Sequence, residues 1–102
     1  MGKILICNIK EIPPGHKYKT KVDGNEILII NDNGNFYAVD DMCTHAGASL
    51  ADGKLEDGNI TCDWHGAKFN YKNGELKKFS SKIDNLRSYR ISLEAEDIFI
   101  EL

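Results

Sequence analysis

Most of the signals that assign a protein on inspection are scarce in this chain. It has three cysteines in 102 residues, too few and odd in number for the disulfide frameworks that staple small secreted domains. Two prolines and nine glycines are ordinary globular usage, which excludes a collagen-like repeat and a long disordered tail. Basic residues are not in excess: thirteen Lys and Arg against sixteen Asp and Glu leave a net charge of −3, so no global positive field is offered to a nucleic-acid backbone. The only apolar run near the start, Ile4 to Ile9, is interrupted by Cys7 and Asn8. It is shorter than a signal-peptide core and far shorter than a membrane span. The myristoylation pattern fails at Ile6. Asn59-Ile60-Thr61 matches a glycosylation acceptor, but without a secretion signal it reads as strand residues. These absences lead to the expectation of a cytoplasmic chain with no nucleic-acid and no membrane partner.

What is present supports a single domain, residues 1–102, with 41% hydrophobic residues for its core. The local pattern is of short strands. Ile27 through Ile30 is a continuous apolar run between the turn signals Asp23-Gly24-Asn25 and Asn31-Asp32-Asn33-Gly34-Asn35, which predicts two hairpins in the first forty residues. Lys72-Asn73-Gly74 separates Lys68–Tyr71 from Glu75–Phe79 as a further hairpin. From Leu86 to Leu93 the residues alternate, with Tyr89, Ile91 and Leu93 on one face, before Glu94 to Asp97 leads into Ile98-Phe99-Ile100. No sustained 3.6-residue repeat exists. The expected fold is all-β: a small antiparallel β-sandwich or barrel with a two-loop subdomain, the loops falling at about 41–53 and 62–67.

The segment Asp40 to Gly53 has neither strand propensity nor a helical face, and a loop of that length in a small chain is usually functional. It contains Cys43-Thr44-His45. After sixteen further residues comes Cys62-Asp63-Trp64-His65, so the chain carries C-x-H and then C-x-x-H. Two loops each offer one thiol and one imidazole, and Gly47 and Gly66 follow the histidines where the chain turns close to a bulky centre. The residues point to a bound metal. Tetrahedral zinc suits the same four donors, and a Cys43–Cys62 disulfide is a third possibility, disfavoured in a reducing compartment. Cys7, on an apolar strand, reads as a buried structural thiol and His16 as an exposed loop residue.

The pattern C-T-H-x-G, then C-x-W-H-G-A-x-F, then the Tyr71–Gly74 hairpin and a terminal L-x-x-Y-x-I…D-I-F-I closely resembles the Rieske iron–sulfur family. The resemblance covers Ile27 to Leu102. It implies one 2Fe-2S cluster, with Cys43 and Cys62 on one iron and His45 and His65 on the other, and the two imidazoles as the solvent-facing exit for the electron. High-potential members carry an extra disulfide and a serine donor where this chain has Ala48, Trp64 and Ala67, which implies a potential in the lower part of the Rieske interval. Asp63 stands where many members have proline, and an ionised carboxylate there pushes the potential further down unless water screens it. Met42, Ala46, Leu50 and Trp64 are candidates to exclude water.

Beyond the cluster the chain has only His16 to offer a second metal site, and it has no G-x-G-x-x-G fingerprint. The reading is therefore an electron carrier rather than an enzyme. It shuttles one electron from a flavin-containing or other ferredoxin reductase to a terminal oxygenase or reductase. The alternatives are a small subunit of a larger reductase, as in nitrite reductases, and a zinc-stapled interaction module. Residues 40–63 hold Asp40, Asp41, Asp52, Glu56, Asp57 and Asp63 against Lys54, a net −5, whereas residues 64–82 hold five lysines against Glu75, a net +4. If these blocks form surface patches, they orient the protein toward a basic partner.

Overall fold

Two-residue turns organise the first half of the chain. In the computed structural model, which describes residues 2–44, 48–63, 66–79 and 83–101, strands β1 (Lys3–Asn8), β2 (Lys17–Val22), β3 (Asn25–Asp32) and β4 (Asn35–Asp40) lead the order. Asp23-Gly24 and Asn33-Gly34 both sit at positive φ, the conformation whose twist matches antiparallel strands and that Asx-Gly pairs adopt most readily. The strand registers follow directly, with Ile29 opposite both Tyr18 and Ala38. Both expected hairpins of the first forty residues are present.

The remaining strands are β5 (Lys54–Glu56), β6 (Asn59–Thr61), β7 (Lys68–Asn70), β8 (Leu76–Lys78), β9 (Ser88–Glu94) and β10 (Asp97–Glu101). They complete two antiparallel sheets. One has the order β1-β10-β9-β4-β3-β2 and curls into a nearly closed barrel; the other is the smaller β5-β6-β7-β8. The expected closing hairpin is β9–β10, and the Lys72-Asn73-Gly74 turn joins β7 to β8. The hairpin β5–β6 turns at Asp57-Gly58; its second strand contains Asn59-Ile60-Thr61, read as strand residues from the sequence, whereas three-residue strands are too short for periodicity alone to pair them.

Strand β3 explains how the two sheets meet. Its apolar run is continuous because both of its faces are buried. Ile27 and Ile29 point into the barrel with Cys7, Ile12, Val22, Ala38, Ile98 and Ile100. Leu28 and Ile30 point the other way, under the smaller sheet, with Val39, Leu50, Ile60, Phe69, Tyr71 and Leu86. Alternation on β9 is only half realised: Tyr89 and Ile91 pack against the barrel core, but Leu93 is 48% exposed at its open end. Full burial of a Leu, Ile or Phe side chain stabilises by about 1.5–3 kcal/mol, so β3 alone contributes to both cores at once.

Candidate metal centre

Two loops at the junction of the smaller sheet and β4 carry the candidate ligands. The first leaves β4 and returns through a 3-10 turn, Leu50–Asp52, and the second spans Cys62 to Ala67 between β6 and β7. They share one backbone design. The Cys43 amide donates to the Ala48 carbonyl at 2.8 Å, and the Cys62 amide donates to the Ala67 carbonyl, also at 2.8 Å. Each bond closes the loop five residues on and leaves the cysteine at its base. In the second loop Gly66 takes positive φ (76°) and returns its amide to the Cys62 carbonyl, the sharp turn expected there. In the first, Met42 and Ser49 bridge the base.

Both thiols are buried to the same degree. Cys43 and Cys62 are each 1% exposed and belong to the same apolar cluster as Ala48, Ala67, Leu50 and Phe69. No disulfide involves either of them, so the third reading of the cysteines does not hold in this structure. Two unoxidised sulfurs from separate loops in one dry cluster suit a thiolate-ligated centre, whose charge is delocalised over metal–sulfur bonds and tolerates burial that an isolated thiolate does not. His45 and His65 lie outside the described residues, as do Ala46, Gly47, Trp64 and Lys82. Among the described residues no group of three or more His, Cys, Asp or Glu side chains forms a metal cage, as expected when only one member of each pair is described.

The other residues singled out by sequence fall as follows. Leu50 is fully buried and shields the first loop, but Met42 is 52% exposed and does not. Ala48 and Ala67 line the thiols, leaving no side-chain donor at those positions. Asp63 is exposed, and so is His16. Cys7 is buried inside the barrel, away from the loops.

Sequence reasoning missed the polar fixings of the first loop. Asp41 is 1% exposed, and its carboxylate accepts from Ser49 Oγ at 2.7 Å and from the Ala51 amide at 3.0 Å. Thr44 Oγ1 donates to the Asp84 carbonyl at 2.6 Å, tying this loop to the segment that enters β9. Asp40 accepts from Arg87 Nε at 3.2 Å and from the Tyr89 hydroxyl, while Arg87 Nη2 reaches Asn25 at 3.1 Å. The acidic block of the sequence is thereby dispersed. Asp40 and Asp41 are engaged in this way, and Glu56 pairs with Lys68 across the smaller sheet at 3.5 Å, so residues 40–63 do not present their full charge as one patch.

A barrel carrying a smaller sheet, with two buried thiols on loops of one design, suits a protein that holds an inorganic centre. Comparison with known proteins agrees. The family model described as "Rieske [2Fe-2S] domain" matches residues 2–90. The chain is 33% identical over 102 residues to the ferredoxin component of biphenyl 2,3-dioxygenase from Rhodococcus jostii (strain RHA1), covering 100% of this chain and 94% of that protein. It is also 33% identical over 95 residues to human apoptosis-inducing factor 3; that match covers 93% of this chain but only 16% of the much longer relative. Among solved structures, the ferredoxin of carbazole 1,9a-dioxygenase from Nocardioides aromaticivorans IC177 superposes with a TM-score of 0.91 at 22% identity, covering 98% of this chain and 97% of that one. The chain belongs to the Rieske [2Fe-2S] domain family, and its cofactor is a single 2Fe-2S cluster.

Proposed function

We propose that this chain is an electron-carrying ferredoxin. It receives one electron from a reductase, flavin-containing or of another kind, and delivers it to a terminal oxygenase or reductase. Cys43 and Cys62 hold one iron of the cluster and His45 and His65 the other. One observation carries the assignment: Cys43 and Cys62, each 1% exposed, sit at the bases of two loops closed by the same backbone hydrogen bond. When bound, the cluster takes up and releases one electron without making or breaking bonds in a substrate, so the partner performs the chemistry.

The protein's own residues do three things in this reading. The alanines, Leu50 and Phe69 exclude water from the sulfurs. The loop-closing amide bonds fix the backbone of both cysteines, so little needs to rearrange as the charge changes. The tie from Thr44 to Asp84 holds the first loop against the chain that enters β9. The similarity to a dioxygenase ferredoxin component over nearly its whole length supports an oxygenase as the acceptor. Among the described residues no helix is long and apolar enough to cross a membrane. We place the chain in the reducing cytoplasm, where cysteines that serve as metal ligands stay in the thiol form.

Iron, zinc and acid-labile sulfide analysis of the purified coloured protein tests the assignment. The expected result is two irons and two sulfides per chain, with uptake of one electron in a reductive titration. Zinc without sulfide would make the chain a stapled interaction module instead. Cys43→Ala and Cys62→Ala are each expected to abolish the visible colour, as are His45→Ala and His65→Ala.

A further inference from the structure

Among the described residues, Asp41 is the buried charged side chain, 1% exposed, and the electron-carrying role described above makes no use of it. Its surroundings are specific. It stands one residue past the end of β4, two positions before Cys43, and its two carboxylate oxygens are divided between groups on the returning side of the first loop. Oδ2 accepts from Ser49 Oγ at 2.7 Å and Oδ1 from the Ala51 amide at 3.0 Å. The backbone of the same residue completes the clasp: its carbonyl accepts from the Leu50 amide at 2.7 Å, and its amide donates to the Glu26 carbonyl at 3.0 Å. One residue thus joins the outgoing and returning ends of the loop to each other and to β3.

The charge of this carboxylate is answered from a different strand. Lys19 Nζ, on the edge strand β2, lies 3.4 Å from Asp41 Oδ2 and 3.2 Å from Glu26 Oε1. The Lys19 side chain is 43% exposed, whereas the Asp41 side chain is 2% exposed, so water screens the positive partner far more than the negative one. Lys17, two residues back on the same face of β2, donates to the Gly53 carbonyl just beyond the loop's return. Strand β2 therefore grips both the acid and the exit of the first loop.

We propose that Asp41 is a positioning residue for the first cluster-binding loop, and that its buried charge, offset by Lys19, helps set the potential at which the adjacent centre accepts an electron. The inference rests on Cys43 being a cluster ligand. A negative charge held in a poorly screened position opposes arrival of another, so Asp41 lowers the potential and Lys19 raises it. Asp63 is the natural control. It adjoins the other cysteine, Cys62, but is exposed to water.

Four variants of the full chain, loaded with the cluster, separate the two roles by electrochemical potential and by the rate of iron loss to a chelator. Asp41→Asn, which keeps the shape and one acceptor, is expected to shift the potential upward. Lys19→Met is expected to shift it downward, and Asp63→Asn to leave it near the wild-type value. Asp41→Ala, which leaves Ser49 and the Ala51 amide without their acceptor, is expected to speed iron loss by about tenfold or more. Equal potentials for Asp41→Asn and the wild type, or shifts of the same sign for Asp41→Asn and Lys19→Met, overturn the electrostatic role. Iron loss from Asp41→Ala at the wild-type rate overturns the positioning role. A wild-type chain that takes up neither iron nor sulfide refutes the ligand assignment, and this inference falls with it; a wild-type chain that loads normally leaves the variants to decide Asp41 alone.

Discussion

Cys7 packs inside the barrel with Ile12, Ile98 and Ile100, and burial pushes its thiol up to about 11, with the Glu11 carboxylate adding to the effect. Tyr71 and Tyr89 are each pushed up to about 12, first by burial and then by hydrogen bonds to Asp32 and Asp40 respectively. All three shifts have one sign. The folded chain keeps protons that the unfolded chain releases from its ordinary values of 9.0 and 10.0, so this stability is complete below those values and is lost as pH rises through the shifted ones. Thermal melts are expected to hold a plateau up to about pH 9 and fall progressively above it. Iodoacetamide at neutral pH is expected to label Cys7 only after denaturation, which peptide mass spectrometry reads directly. The burial of Cys7 was legible from its apolar strand. That of Asp41 was not, because its partners at Ser49, Ala51 and Lys19 belong to no local motif.

At the scale of elements, turn chemistry accounts for much of the architecture. Asp23-Gly24, Asn33-Gly34 and Asp57-Gly58 all take positive φ and each joins two antiparallel strands. Two other glycines act by proximity. A Cβ on Gly53 would stand 1.9 Å from the Thr61 carbonyl oxygen, and one on Gly74 would stand 2.1 Å from that of Leu86. Backbone cannot rotate away as a side chain can. Gly74 also takes φ of +79°, so Gly74→Ala combines overpacking with a left-handed penalty and is expected to destabilise by about 3 kcal/mol. Gly53→Ala is expected to cost about 1–3 kcal/mol. Urea unfolding of the two variants checks both figures, and Gly34→Ala, which meets nothing within 4 Å, supplies the comparison for backbone conformation alone.

At the scale of the whole molecule, β3 separates two cores, one for the barrel and one that includes the two loop cysteines. Ile29→Ala removes side-chain volume from the first and Ile30→Ala from the second. Each is expected to lower unfolding stability by about 2–5 kcal/mol. Only Ile30→Ala is expected to hasten iron loss to a chelator, since its core includes Cys43 and Cys62. Equal iron-loss rates in the two variants would show that the cores respond as one.

Strand pattern, turn chemistry and the type of donor on offer are properties of neighbouring residues, and the sequence by itself determined them. The run Ile27–Ile30 reads as a strand, Asx-Gly pairs adopt positive φ wherever they stand, and a thiol and an imidazole at short spacing bind metal in any fold that lets them converge. Tertiary structure alone decided what depends on distant partners. The buried setting of Asp41, the dispersal of the acidic block through Arg87 and Lys68, the exposure of Met42 and the division of β3 between two cores all follow from which remote segments pack together. The physical reason is that dihedral preference and donor chemistry act within a few residues along the chain. Burial and charge pairing are set by surfaces that only the completed fold brings into contact.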